Sequence, residues 1–121
     1  MGKLKVVNIK DVPGERRDPP RTSWILVSEK TLGSKNLAMG VNETDVGGMV
    51  PEHKHETEEE VMFFLSGQGK FVTESEEIAV GPGICVYNPP GEKHKIVNTG
   101  SEILKFVWIY APQLPSHRVQ K

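Results

Sequence analysis

The sequence lacks most of the features that mark secreted or membrane proteins. Cys85 is the single cysteine among 121 residues, so no disulfide can form within the chain. No apolar run approaches the roughly 20 residues that a membrane-spanning helix needs, and the opening MGKLKV has no signal-peptide core. We therefore expect a cytoplasmic protein with no membrane partner.

Neither sign of charge is in excess. Fifteen Lys and Arg residues against 16 Asp and Glu residues give a formal net charge of −1. Nucleic-acid-binding proteins usually present a basic surface that neutralises phosphates. The balance therefore predicts no nucleic-acid partner.

Helical periodicity is also missing, because no long stretch repeats apolar residues every three to four positions. Twelve glycines and nine prolines instead divide the chain into short alternating segments. That pattern is typical of strands joined by tight turns. It predicts a single all-β domain of about eight to ten strands, arranged as a sandwich or a barrel.

We divide the chain into an N-terminal arm and loop (1–21), a β-barrel (22–112) and a C-terminal tail (113–121). The arm contains one possible strand, residues 4–9. The stretch DVPGERRDPPR after it is predicted to be an irregular loop, because of its prolines and charges.

Three arginines of that loop have two interpretations. They could face an anionic substrate, or they could lie in solvent or at a subunit contact, which is the commoner position for loop charges. These residues are Arg16, Arg17 and Arg21. His117, in the tail, is interpreted as structural or exposed.

Strand alternation predicts one apolar interior with ionisable groups in it. Side chains alternate between faces, so Glu60 shares a face with Met62 and Phe64, and His53 shares one with His55. In the last strand the alternation turns four side chains inward: Leu104, Phe106, Trp108 and Tyr110. Four potential ligands then point into the interior: His53, His55, Glu60 and His94.

The opposite face of the Glu60 strand is too apolar to remain in water. It comprises Val61, Phe63 and Leu65. A second copy of the chain would cover it, so we predict a homodimer.

Burying several ionisable groups together is costly unless a cation or good partners compensate. Mixed imidazole and carboxylate ligation suits one divalent transition-metal ion, either Mn, Fe, Ni, Co or Zn. The alternative is a proline-kinked loop with exposed histidines beside an acidic patch, residues 56–60.

Two motifs in this region resemble the two signatures of the cupin superfamily. The first has fixed positions at Gly47, His53, His55, Glu60 and Gly67, and the second at Gly83, Pro89, Gly91, His94 and Asn98. The resemblance implies an antiparallel jelly-roll, or double-stranded β-helix, barrel. It also implies metal ligation by His53, His55, Glu60 and His94.

Two further glutamates next to Glu60 could supply the carboxylate ligand, and one position departs from the cupin pattern. Glu58 and Glu59 are rival carboxylates, but the spacing to Gly67 and the alternation with Met62 favour Glu60. Ile84 stands where many cupins have Asp.

Three functions remain open. The protein could be a metal-dependent enzyme (dioxygenase, isomerase or lyase) that acts on a small oxygenated metabolite. It could instead bind a small sugar-like molecule without turnover, or the metal could serve only to stabilise the barrel. The predicted pocket wall comprises Met39, Met62, Phe64, Tyr87, Phe106 and Trp108. Core packing is the alternative interpretation of all six. Asn88 is a turn or pocket residue, and Lys93 is an exposed loop or pocket residue. Cys85 is predicted to be a small buried hydrophobe on a strand.

Overall fold

The computed structural model describes residues 2–119, which form two antiparallel β-sheets. The six-stranded sheet has the order β1-β2-β3-β10-β5-β8, and the four-stranded sheet has the order β4-β9-β6-β7. The strands are β1 (Glu15–Arg17), β2 (Arg21–Val27), β3 (Ala38–Thr44), β4 (Met49–His53), β5 (Glu59–Ser66), β6 (Gly69–Thr73), β7 (Glu77–Val80), β8 (Cys85–Asn88), β9 (His94–Asn98) and β10 (Leu104–Ala111). The predicted all-β, two-sheet barrel of the jelly-roll type is confirmed.

One hydrophobic core lies between the sheets and draws on both of them. Its buried members are Ala38, Met62, Phe64, Phe71, Val80, Ile96, Leu104, Phe106, Trp108 and Tyr110. The predicted alternation holds on β10, where these residues are buried while Lys105, Val107 and Ile109 are partly or largely exposed. It holds equally on β5, whose outer side chains Phe63 and Leu65 are each 43% exposed.

Gly40 lets an aromatic side chain lie directly on β3. A Cβ atom at this position would overlap the Trp108 indole and the carbonyl oxygen of Trp24. Because glycine has none, Trp108 packs against the strand from the adjacent β10, where it is paired with Gly40. This contact positions the indole that later forms part of the cavity wall.

The Asn98 side chain connects the turns at one end of the barrel through hydrogen bonds. Its buried amide donates to the carbonyl oxygens of Thr44, Asp45 and Glu102 at 2.8–3.1 Å and accepts from the Gly100 N–H at 2.9 Å. One side chain therefore satisfies backbone groups on both sides of the barrel end, which is the usual requirement for buried polar atoms.

The prediction for the N-terminal region is wrong in two respects. Residues 4–9 form no strand, and a short 3-10 helix spans Ile9–Asp11. The stretch predicted as an irregular loop contains β1, which pairs with β2 in the six-stranded sheet. The prolines do not prevent this pairing, because Pro19 and Pro20 lie in the turn between the two strands.

The prediction that Cys85 is buried is also wrong. Cys85 is exposed at the start of β8 and lies opposite Phe63 of β5. Paired residues of neighbouring strands share a face, so Cys85 follows Phe63 to the outer surface. Val86 and Asn88 take the less exposed positions of the same strand.

The segment after β10 is tied to the loop that follows β2. The Gln113 side chain accepts from the Glu29 N–H at 2.7 Å and donates to the Ser34 carbonyl at 3.1 Å. The Lys30 N–H donates to the carbonyl of His117 at 3.3 Å. These bonds hold a second 3-10 helix, Pro115–His117, against the barrel, and His117 is only 8% exposed. Neither 3-10 helix of residues 2–119 has the length or apolarity to cross a membrane.

Candidate metal centre

Three histidines and one glutamate converge inside the barrel from three strands and one loop. His53 ends β4 and pairs with His94 at the start of β9, while Glu60 points inward from β5. His55 lies just beyond β4, so its position depends on the loop rather than on strand alternation. One potential ligand atom from each residue lies within 4.8 Å of the others.

The cluster is close to the dimensions of a metal site. Ligand atoms that bind one ion at about 2.0–2.2 Å lie at most about 4.4 Å apart, and the four atoms here lie within 4.8 Å of one another. Glu60 Oε1 lies 3.2 Å from His94 Nε2 and 3.9 Å from His55 Nε2. The His53 and His94 ring centroids are 4.2 Å apart.

Three atoms of the cluster are buried without a hydrogen-bond partner among the described residues. They are His55 Nε2, Glu60 Oε1 and His94 Nε2. An unsatisfied buried polar atom costs roughly 1–3 kcal/mol, so three at one point need a compensating group. A cation would satisfy all three at once, and imidazole nitrogen with carboxylate oxygen is a donor set that transition metals accept.

A backbone carbonyl fixes the ring tautomer of His53 that ligation needs. His53 Nδ1 lies 2.8 Å from the Pro51 carbonyl oxygen, and a carbonyl only accepts hydrogen bonds, so Nδ1 carries the proton in the neutral ring. Its Nε2 lone pair is then free to bind a metal, an arrangement common in metal sites. His94 Nδ1 has two neighbours, the Glu92 carbonyl oxygen at 3.2 Å and the Asn88 amide nitrogen at 3.1 Å, and the same tautomer forms there when the carbonyl is its partner.

Burial favours the neutral form of His53 and His55. It is the main reason why the pKa values of His53 and His55 lie below their ordinary value, and the other histidines of the cluster lower them further. Neutral imidazole is the form that binds metals. Burial also raises the pKa of Tyr110, with Glu60 adding to the rise, so this phenol stays protonated beside the cluster.

The neighbouring carboxylates are placed differently from Glu60. Glu58 is buried but accepts a hydrogen bond from the Thr57 hydroxyl at 3.0 Å. Glu59 is exposed and accepts from the Tyr87 hydroxyl at 2.9 Å. Of the three, Glu60 alone joins the histidines. That the four clustered residues bind a metal stays a prediction.

A cavity of about 180 Å³ opens beside the cluster. Among the predicted pocket residues, Phe106 and Trp108 line it, and Met62 and Phe64 are fully buried core side chains. The prediction is wrong for Tyr87, which is 58% exposed on the outer face of β8, so its core alternative is wrong as well. Met39 lies outside the wall because it alternates with the inward Ala38 and Gly40. Lys93 is an exposed loop residue, as expected.

Other parts of the cavity wall come from the ends of the described chain. Arg17 and Arg21 line it from the β1–β2 hairpin, and Leu114 and His117 line it from the C-terminal segment. For the arginines, a position facing the substrate was one of the two interpretations of the sequence. For His117 the sequence offered no signal, because its burial depends on stacking against Trp108, with ring centroids 5.4 Å apart.

Asn88 was considered as a turn or pocket residue, but it supports the cluster instead. It is the last residue of β8, is buried, and its side-chain amide lies 3.1 Å from His94 Nδ1. The opposite face of the His94 ring stays apolar, because the Phe71 ring stacks on it at 5.3 Å.

Curated relatives match most of the barrel. An uncharacterized protein of Methanocaldococcus jannaschii is 35% identical over 78 residues, which cover 60% of this chain and 62% of that protein. An oxalate-binding protein of Thermotoga maritima is 30% identical over 82 residues, 68% of each chain. The match thus spans less than two thirds of the archaeal relative's length.

Solved structures share the fold over nearly the whole chain. A predicted oxalate decarboxylase of Thermotoga maritima superposes with a TM-score of 0.81 at 25% identity, covering 90% of this chain and all of that one. The polyketide cyclase RemF of Streptomyces resistomycificus gives 0.79 at 24% identity, covering 93% and 82%. The family model described as "Cupin domain" matches residues 41–110. The chain therefore belongs to the cupin family.

Proposed function

We propose that this protein binds one divalent transition-metal ion through His53, His55, Glu60 and His94. The supporting observation is the convergence of three buried, unpartnered ligand atoms within a cluster 4.8 Å across. When bound, an ion of Mn, Fe, Ni, Co or Zn supplies Lewis-acid chemistry and, in the case of iron, redox chemistry.

We further propose that the protein is an enzyme for a small oxygenated metabolite with two adjacent oxygen donors. Four protein ligands leave two positions on an ion that prefers six. The cavity of about 180 Å³ is below the several hundred Å³ usual for drug-sized ligands. Tyr110 lies within the wall as a protonated phenol beside Glu60. The reaction classes that fit are those of a dioxygenase, an isomerase or a lyase.

A second candidate function is binding without turnover. It is favoured by the relative described as an oxalate-binding protein, since oxalate has two adjacent oxygen donors. Incubating the metal-loaded protein with small hydroxy acids, keto acids and dicarboxylates distinguishes the two functions. Saturable binding with the ligand recovered unchanged supports the second, and a new product supports the first.

The metal assignment is tested with a matched pair of adjacent glutamates. We expect untagged protein to retain about one equivalent of metal by elemental analysis, and Glu60→Gln to retain less than about a tenth of it. Glu59→Gln should retain the full amount, because Glu59 is exposed and points away from the cluster. Equal metal content in the two variants would show that Glu60 is not a ligand. A metal-free protein that stays folded would argue against a purely structural ion.

We also propose a cytoplasmic homodimer. The outer face around β5 and β8 leaves several apolar side chains exposed: Phe63, Leu65, Ile84, Tyr87 and Ile109. A contiguous apolar surface of this kind is typical of subunit contacts. The exposed thiol of Cys85 on the same face fits a reducing compartment.

A further inference from the structure

Two arginines face each other at the mouth of the cavity. Arg17 of β1 and Arg21 of β2 are direct cross-strand partners, and like charges in this position are destabilising. Arg21 donates to the Pro19 carbonyl at 2.9 Å and has no carboxylate oxygen within 4.0 Å among the described residues. Among the described residues, the ion-pair partner of Arg17 is the exposed Glu15, at 3.1 Å. The hairpin therefore holds positive charge that its own carboxylates neutralise only in part.

That positive charge is directed into the cavity. Both side chains line it together with His53, Glu60 and His94. Arg16, between them in sequence, behaves differently. Its guanidinium forms two hydrogen bonds with Asp45, at 3.0 and 2.9 Å, and is absent from the cavity wall.

His117 adds a third polar group to the same wall. Its ring stacks on Trp108, and its buried Nδ1 has no hydrogen-bond partner among residues 2–119. The bonds of Gln113 and Lys30 fix this segment to the neighbouring loop. The wall thus combines two guanidinium groups with the imidazole of His117.

The charge and the size of the cavity together restrict the class of ligand that it can bind. A divalent ion, the Glu60 carboxylate and two arginines give a formal charge of about +3 at the cavity. The cavity of about 180 Å³ is smaller than is usual for drug-sized ligands, so the ligand must be small. A small acid with two carboxylates satisfies both limits.

We propose that the ligand is a short dicarboxylate, chelated at the His/Glu cluster and recognised by Arg17, Arg21 and His117. This inference rests on the proposed metal site. Arginine suits the task, because its fork of N–H groups matches a carboxylate. The three residues would therefore determine specificity for an anionic ligand over a neutral one of the same shape.

The test is calorimetric titration of the Mn²⁺-loaded protein with oxalate, malonate and the neutral diamide oxamide. We expect Arg17→Gln and Arg21→Gln each to weaken oxalate or malonate binding by about tenfold, as for loss of a charged hydrogen bond. Arg16→Gln, the matched control, should stay within about twofold of the unchanged protein. His117→Phe keeps an aromatic ring on Trp108 while removing the nitrogens, and should weaken binding several-fold. Oxamide affinity should fall less than dicarboxylate affinity in both arginine variants, because hydrogen bonds between two charged groups are the stronger ones.

Metal content, measured on every sample, separates the two proposals. If the protein takes up no metal, the proposed metal site fails, and the same titration of that protein still tests the arginines. A preference for oxalate over oxamide that disappears in the Arg17→Gln/Arg21→Gln double variant supports the inference with or without metal. The inference is overturned if the double variant binds both dicarboxylates as tightly as the unchanged protein, or if the unchanged protein does not prefer them to oxamide.

Discussion

The side-chain amide of Asn88 lies 3.1 Å from Nδ1 of His94, and both side chains are buried. This contact limits rotation of the His94 ring while Nε2 points at Glu60. Partners of this kind orient metal-binding histidines, and losing one typically costs 10- to 100-fold in metal affinity.

Asn88→Ala should therefore lower metal affinity by about tenfold or more and leave the strand content unchanged. Competition with a chromophoric chelator measures the affinity, and circular dichroism checks the fold. Lys93→Ala, an exposed change one residue from His94, serves as the control. Equal affinities in the two variants would mean that Asn88 does not orient the ring.

The metal-free protein should lose stability as the pH falls below about 6.5. Burial lowers the pKa values of His53, His55 and His117 from 6.5, so between the lowered values and 6.5 the unfolded chain binds more protons. The free energy of unfolding therefore rises with pH through this window. Urea denaturation with EDTA at pH 7.5, 6.5 and 5.5 measures it. Stability that is constant or higher at pH 5.5 would contradict the prediction.

Two neighbouring residues test the placement of the core. Leu104 is fully buried, whereas Ile103 is 45% exposed. Leu104→Ala should lower the free energy of unfolding by about 2–5 kcal/mol through cavity formation, and Ile103→Ala by less than about 1 kcal/mol. Chemical denaturation of both variants measures this free energy. Losses of similar size in the two variants would show that the boundary of the core lies elsewhere.

The outer face around Phe63 should mediate dimer formation. Phe63→Glu places a charge in an apolar contact and should convert a dimer into a monomer, as measured by light scattering after gel filtration. Lys70→Glu, an exposed change on the other sheet, should remain dimeric. A monomeric unchanged protein at tens of micromolar would refute the proposed interface.

The convergence of the cluster could be predicted because local rules govern it. Fixed spacing and strand alternation place Glu60 and His94 inside, and the structure agrees. The alternation argument was incomplete for His55, which lies beyond the end of β4 and enters the cluster through its loop.

The wrong predictions concern residues whose positions depend on pairing with another strand. β8 has the sequence CVYN, with apolar residues on both faces, so its own sequence does not decide which face is inner. Pairing of Asn88 with Glu60 decides it and sends Cys85 and Tyr87 outward. In the same way, Arg17 reaches the cavity because β1 pairs with β2. The sequence does not predict this pairing, because the prolines of the intervening turn are typical of an irregular loop.

The two sets of residues around the cavity occupy different parts of the chain. All four clustered residues fall within the family match at residues 41–110, whereas Arg17, Arg21 and His117 fall outside it. If Arg17, Arg21 and His117 recognise the ligand as proposed, selectivity is modular: grafting residues 15–21 and 112–119 from another member onto this barrel should exchange the preferred ligand and leave the four clustered residues unchanged.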